Sequence, residues 1–308
     1  MKPKSGLTPG ERRNARSFYG FISPVLIGWV VFLFGPLLYS FYLSFTNYNV
    51  LTPPVFTGLA NYIKLVSDER FHKALYNTFY FVIIFVPLST VMALMMAMLL
   101  HSVRRAKAFF RAIFYMPSIV PSVPATLVFI WILNYKYGLL NAGLRLLHLP
   151  ALAWMSNPVL LKPSLIIISF WSFGTSMLIF LAGLEAIPRE YYEASSIDGA
   201  SIWQQFWAVT IPLISPSLLF VFITKLINAF QVFTSVYILG GTNSVGGPSD
   251  AILFIVPYLF NQGFNLGRFG YASAIAWVLA VIIMALTLLS LRATERHVYY
   301  ETSGEENR

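Results

Sequence analysis

Apolar residues fall in six long blocks along this chain, at 21–45, 74–100, 111–135, 163–186, 211–240 and 268–292. Each block can cross the ~30 Å hydrocarbon core as a helix of about 20 residues. The first reads FISPVLIGWVVFLFGPLLYSFYLSF and holds no charged residue. Pro36, Pro87, Pro121 and Pro124 lie inside blocks. Membrane helices tolerate such residues because neighbours satisfy the freed backbone groups. The pattern predicts an all-α, polytopic membrane protein with six transmembrane helices. Residues 1–45 read as a tail with a retained first span, not a cleaved signal peptide. The apolar run is too long for a signal core, and no A-x-A site follows it.

Composition sharpens this reading. Of 308 residues, 57% are hydrophobic and 11% charged, against about 25% charged in a soluble domain. Mean hydropathy is +0.68. There is no cysteine, which excludes disulfides, thiolate chemistry and Cys-ligated metals. The net charge of +9 is better explained by basic residues flanking membrane spans than by nucleic-acid binding.

Those basic residues also predict orientation. The N-terminus carries Lys2, Lys4, Arg12, Arg13 and Arg16, the loop after the second block Arg104, Arg105, Lys107 and Arg111, and the tail Arg292, Arg296 and Arg308. Residues 241–267 contain no Lys or Arg. The positive-inside rule therefore predicts cytoplasmic termini, with loops 101–110 and 187–210 inside and loops 46–73, 136–162 and 241–267 outside.

One interior loop stands out. EYYEASSIDGASIWQQFWAVTIPLISP, Glu190 to Pro216, is a polar island between two apolar blocks. Pro188 suits the first turn of a short helix. Glu190 and Glu193 share a face near its N-terminus, where negative charge is favoured. Ala194, Ser195 and Ser196 are small, so another surface can approach. Asp198-Gly199 predicts a turn. Ser201-Ile202-Trp203-Gln204 is a capping-box pattern that starts a second helix, with Trp203, Phe206 and Trp207 as its aromatic face. Pro212 is expected to begin the fifth span.

The order Glu193-Ala194-Ser195, then Gly199, then Ile211-Pro212-Leu213, resembles the EAA loop of ABC importer permeases, with Ser195 at the second Ala of that pattern. FTGLANYIKLVSDERFHKALYNTFYF (56–81), NAFQVFTSVYILGGTNSVGGPSDA (228–251) and FGYASAIAWVL (269–279) resemble segments of the carbohydrate-type permeases in that family. The resemblance covers nearly the whole chain. It implies a six-helix ABC importer permease bundle over 21–292, a coupling elbow at 187–210, and cytoplasmic tails at 1–20 and 293–308. It further implies that Glu190, Glu193, Ala194, Ser195, Asp198 and Gly199 dock on a cytoplasmic ATPase subunit. ATP and Mg would sit on that partner, with no cofactor on this chain. Other implied partners are a second, related permease in a heterodimer, an extracytoplasmic solute-binding protein and the bilayer of a bacterial or archaeal plasma membrane.

Missing chemistry agrees. No G-x-x-x-x-G-K-[ST] loop occurs, so the chain has no phosphate cradle of its own. His72, His101, His148 and His297 are far apart in sequence and read as structural rather than metal-binding. No pair of carboxylates lies inside an expected span; Glu185 is the sole acid close to a span end. An ion-gradient-driven secondary transporter, the alternative class, usually needs such acids and often inverted repeats. A membrane-embedded enzyme needs paired acids or metal ligands. The one cation inside a span is Lys225. Helical spacing puts Asn228 and Val232 on its face, with Gln231 and Ser235 beside it. Lys225, Asn228 and Gln231 are thus candidates for a polar substrate path, where Lys225 would suit an anionic group; the alternative for Lys225 is a helix–helix hydrogen bond or snorkelling to the cytoplasmic interface. Phe230, Phe233 and Tyr237 read as packing residues more readily than as sugar-stacking platforms.

Overall fold

The computed structural model describes residues 9–103, 105–241 and 245–295. Lys2, Lys4, Arg104, Arg296 and Arg308, which enter the orientation argument, lie outside the described residues, as do His297 and most of the tail 293–308. The chain forms two compact units: Met1–Val66 with Gln262–Trp277, and Ser67–Asn261 with Val278–Arg308.

In the first unit, α1 (Pro9–Trp29) runs through a π-helical turn at Val30–Phe34 into α2 (Gly35–Ser44). Pro36 follows directly on that π-helical turn within one unbroken helical run, and such a local π adjustment is how a membrane helix accommodates a residue without an N–H. A two-residue ladder follows: β1 (Thr46–Asn47) pairs antiparallel with β2 (Val55–Phe56), Thr46 opposite Phe56. α3 (Ala60–Ser67) then packs on this corner. Asn61 Nδ2 donates to the carbonyls of Ser44 and Thr46, both at 2.9 Å. Gly270 donates its N–H to Tyr48 O and lies so close to Thr46 O that a side chain there would collide with it.

The second unit is organised on α4 (Glu69–Ser102), a 34-residue helix about 50 Å long at 1.5 Å per residue. Asp68 caps it, accepting from the Arg70 and Phe71 N–H groups. α5 (Lys107–Tyr115) and α6 (Ser122–Ile132) follow, then α7 (Leu139–Leu146). α8 (Pro158–Phe170) and α9 (Gly174–Glu185) form the fourth apolar block. The polar island gives α10 (Arg189–Ile197), α11 (Ile202–Gln205) and the single turn α12 (Ile211–Leu213). The fifth block is α13 (Ser215–Phe230) and α14 (Thr234–Gly240). α15 (Ile255–Phe260) precedes α16 (Phe269–Glu295), which begins in the first unit and ends in the second.

Among the described residues, Ser17–Ser44, Glu69–Ser102, Ser215–Gly240 and Phe269–Ala293 are each long and apolar enough to cross a membrane. Lys107–Ile119 with Ser122–Ile132, and Pro158–Phe170 with Gly174–Glu185, qualify as bent pairs, which brings the candidate spans from four to as many as six when each pair is counted as one. The chain is thus an all-α membrane bundle, as the sequence pattern predicts. Continuity is where it departs from the pattern. The third block bends by 96° and the fourth by 50°. Pro121 forces Val120 into an extended conformation (ψ 127°) and ends the helical ladder there. The fifth block breaks at Gln231–Phe233. Pro212 does not open the fifth span. A π-helical turn at Phe206–Thr210 and the turn α12 precede it, and α13 starts at Ser215.

The two ends of α4 do different work. Its last turns pack Ala97 and Leu100 into a buried core with Phe180, Leu181 and Leu184 of α9 and Ile214 and Val221. Its first turns hold a strained segment, in which Ser249 and Asp250 both have φ of 54°. A non-glycine residue pays roughly 1–3 kcal/mol for such a conformation and needs support. Support comes from Arg70, which forms a two-pronged 3.0 Å pair with Asp250, from Lys73 donating to Ser249 O at 2.7 Å, and from Asn77 donating to the Asp250 and Leu253 carbonyls.

Candidate functional site

Two regions of the second unit carry the candidate residues. The first is the elbow formed by α10 and α11. Pro188 is the N-cap of α10, and Glu190 lies in its first turn. α10 ends in a Schellman turn: Ala200 N–H donates to Ser195 O (3.0 Å) and Gly199 N–H to Ser196 O (3.1 Å). Gly199 has φ of +76°, and a Cβ there would meet nothing within 4 Å. Backbone conformation, not space, demands glycine. The next residues form the capping box that the sequence predicts. Ser201 N–H donates to Gln204 Oε1 at 2.8 Å, and Gln204 N–H donates back to Ser201 Oγ at 3.4 Å. Gln205 Nε2 donates to Ser196 Oγ at 2.9 Å and ties the second helix to the first.

The elbow is stiff within and bare without. Glu190, Glu193, Ala194, Asp198 and Gly199 are exposed, and Ser195 is half-buried, its hydroxyl on Tyr192 O at 3.0 Å. Neither glutamate nor Asp198 joins an ion pair among the described residues. At the tip Ile197 and Ile202 are both 87% exposed, and Trp203 is 68% exposed. Trp203 stacks on Phe206, and Trp207 meets both edge-on. Behind the tip, Ile187 and Ile214 are buried in the α4–α9–α13 core, and the Tyr192 and Thr210 hydroxyls meet at 3.0 Å. A Cβ on Gly183 of α9 would lie 2.8 Å from Ser217 Oγ of α13, so the helices entering and leaving the elbow touch backbone to side chain. Lys107 bridges to Glu185 at the end of α9.

The second region is a cavity of about 470 Å³. It lies where the three broken spans come together. Ser118, Val120 and Ser122 flank the first break, and Trp171, Ser172 and Thr175 the second. Asn228, Val232 and Ser235 flank the third. Irregular backbone at membrane depth is tolerated where it lines such a space. Thr126 and Ser235 hydroxyls meet at 3.0 Å, while Ser118 Oγ has no hydrogen-bond partner. Lys225 projects into the wall with its Nζ 5.7 Å from the centre of the Phe85 ring. It lies ten residues beyond Ser215, about 15 Å along the helix. A lysine at that depth costs about 2.5–3.5 kcal/mol on insertion scales, and a desolvated cation over an aromatic face regains up to about 2 kcal/mol.

The structure brings together Lys225, Asn228, Val232 and Ser235 in one wall. Gln231 is not with them. It is the C-cap of α13, one residue past the last helical residue Phe230, and it is exposed and does not line the cavity. Phe230 is 1% exposed against Phe79, and Phe233 and Tyr237 stack on each other and against Phe260, all packing contacts. Sequence reasoning missed the hydroxyls of the other broken spans. Ser118, Ser122 and Thr126 recur at a spacing of four, a polar stripe that could have been read from the third block.

Comparison with known proteins agrees with this geometry. Residues 70–297 match the family described as binding-protein-dependent transport system inner membrane component. The probable ABC transporter permease protein YesP of Bacillus subtilis is 38% identical over 296 residues, 96% of this chain and 95% of that protein. The trehalose/maltose transport system permease protein MalF of Thermococcus litoralis is 33% identical over 282 residues, covering 91% of this chain and 94% of MalF. Among solved structures, a chain in the crystal structure of a bacterial alginate ABC transporter superposes with a TM-score of 0.80 at 20% identity, covering 92% of this chain and 96% of that one. At that identity the match speaks for the fold. The chain belongs to the family of binding-protein-dependent transport system inner membrane components.

Proposed function

We propose that this chain is a transmembrane permease subunit of an ATP-binding-cassette importer that carries a sugar or sugar-like solute. The observation that carries the proposal is a continuous mechanical link. α9 forms part of the cavity wall through Thr175 and Ser176 and runs to Glu185. The elbow follows directly, and α13 returns from it to the cavity with Lys225 and Asn228. A push on the elbow therefore acts on two walls of the cavity at once. An exposed, internally hydrogen-bonded elbow suits docking on a separate ATPase subunit, with Glu190, Glu193, Ala194, Ser195, Asp198 and Gly199 at or near the contact. ATP and Mg belong to that subunit. The closure of an ATPase pair, transmitted as a rigid-body shift, would alternate access to the cavity. This chain does no covalent chemistry in that cycle.

The sugar class is supported by relatives whose names specify trehalose/maltose and multiple sugars, and by a cavity rich in hydroxyl partners. A second, related permease and an external solute-binding protein complete the assembly. The elbow lies on the cytoplasmic side in this reading, with both termini, in a bacterial or archaeal plasma membrane.

Two measurements test the reading. Reporter fusions after Arg105 and Gln204 should read cytoplasmic, and one after Gly241 external; an external signal at Gln204 rejects coupling through the elbow. In proteoliposomes holding the whole importer, uptake should require ATP and the binding protein, and should survive ionophores. Uptake that stops with ionophores and ignores ATP points to a gradient-driven carrier.

A further inference from the structure

The cavity is electrically one-sided. Among the described residues, Lys225 is the one charged residue in its wall, and no carboxylate lines it. No acid pairs with Lys225 among the described residues. The nearest compensation is the Phe85 ring, which attracts a cation without neutralising it. The rest of the wall offers neutral donors and acceptors: the unpartnered Ser118 hydroxyl, the Thr126–Ser235 pair and the Asn228 amide. Trp171 adds apolar ring surface. Hydroxyls and amides match sugar hydroxyls, and ring surface matches the C–H face of a sugar. A lone cation in a low-dielectric wall matches one thing more, a fixed negative charge on the solute.

We infer that the cavity accepts an acidic carbohydrate, one bearing a carboxylate or an equivalent anionic group, with Lys225 as its counter-ion. This rests on the importer reading above and goes beyond it by naming the charge of the cargo. Lys225 touches substrate in this account; it sets selectivity and transfers no group. A neutral sugar would leave the ammonium buried without a partner. The wall thus discriminates against neutral solutes as well as favouring acidic ones.

Binding to the solubilised importer complex is the test, by titration calorimetry with digalacturonate and with its neutral counterpart of the same linkage, galactobiose. A hydrogen-bonded charge partner contributes enough to give a preference for the acid on the order of tenfold or more. Lys225→Met should bring that ratio close to one, Lys225→Arg should keep it, and Lys225→Glu should reverse it. The ratio is taken within one preparation, so partial misassembly cancels. Lys225→Cys in this cysteine-free chain gives a second route: an aminoethyl thiosulfonate restores a cation there and should restore the preference, while a propyl reagent should not. Absent binding of digalacturonate, a wild-type ratio near one, or a preference that survives Lys225→Met overturns the inference. Loss of complex assembly in Lys225→Met together with a wild-type ratio near one overturns it too, and makes Lys225 a counter-ion for an acid of a neighbouring subunit. Failure of the importer reading looks different, since no solute would then show uptake that depends on ATP and binding protein.

Discussion

The elbow and the cavity lie in one compact unit, yet they are built in opposite ways. The elbow satisfies its backbone locally: a Schellman turn at Gly199, a reciprocal capping box at Ser201 and Gln204, and hydroxyls on Tyr192 O. Glu190, Glu193, Ile197, Asp198 and Ile202 are left exposed. The cavity draws on residues from Phe81 to Ser235 and, among the described residues, leaves Lys225 without an acid. A rigid element with unspent surface suits a docking lever. A wall of underused polar groups suits a space that takes a solute. The joint between them is the crossing of α9 and α13 at Gly183.

Breaking that joint should have the largest effect. Gly183→Leu forces a side chain into Ser217, and overpacking of this kind costs about 1–3 kcal/mol. Thermal unfolding of the purified complex should shift down, and uptake should fall with it. Normal uptake with normal stability would mean that the two helices do not move as one body. Next comes Gly199→Val. A β-branched residue at φ +76° costs about 1–2 kcal/mol, concentrated at the elbow. Membrane insertion should persist while uptake falls at least about tenfold and the ATPase co-purifies poorly. Retained coupling would separate the elbow from the ATPase.

Why one region was legible and the other was not follows from sequence distance. Everything that shapes the elbow between Pro188 and Gln204 is local: a proline, paired glutamates, Asp-Gly and Ser-x-x-Gln. Each has a conformational meaning that does not depend on the rest of the chain. The cavity depends on breaks at Val120–Pro121, Trp171–Phe173 and Gln231–Phe233, which are tens of residues apart in sequence. Hydropathy treats Ser118 or Ser176 as background in an apolar block. The prolines that predicted tolerated interruptions made a 96° bend instead. Lys225 stood out because a charge inside a span is rare, and the structure sets it in the cavity wall beside Asn228. Gln231 falls one residue past the end of α13, where helical spacing no longer says which way a side chain points.

Smaller effects sharpen the contrast. A cysteine at Asn228 faces the cavity, whereas one at Gln231 does not. Asn228→Cys should react with a water-soluble thiol reagent at a rate that changes several-fold on adding ATP, or solute with binding protein. Gln231→Cys should react at a rate that ignores both. Equal responses would put both residues on one path and remove the distinction drawn from the end of α13. Smallest of all is Ser201→Ala, which removes half of the capping box at a typical cost of about 1 kcal/mol. Uptake should stay within about twofold, with a modest drop in melting temperature; a collapse of transport would mean that Ser201 itself contacts a partner.

The central claim is that the elbow is where this chain meets its ATPase. Single cysteines at Ala194 or Asp198, in a chain that has none of its own, allow a direct measurement with a short bifunctional thiol reagent and a cysteine-scanned ATPase subunit. The account predicts a permease–ATPase product from both elbow positions, with a yield that changes when ATP is added, and none from a control cysteine at Leu51. Products from Leu51 and not from the elbow would contradict it.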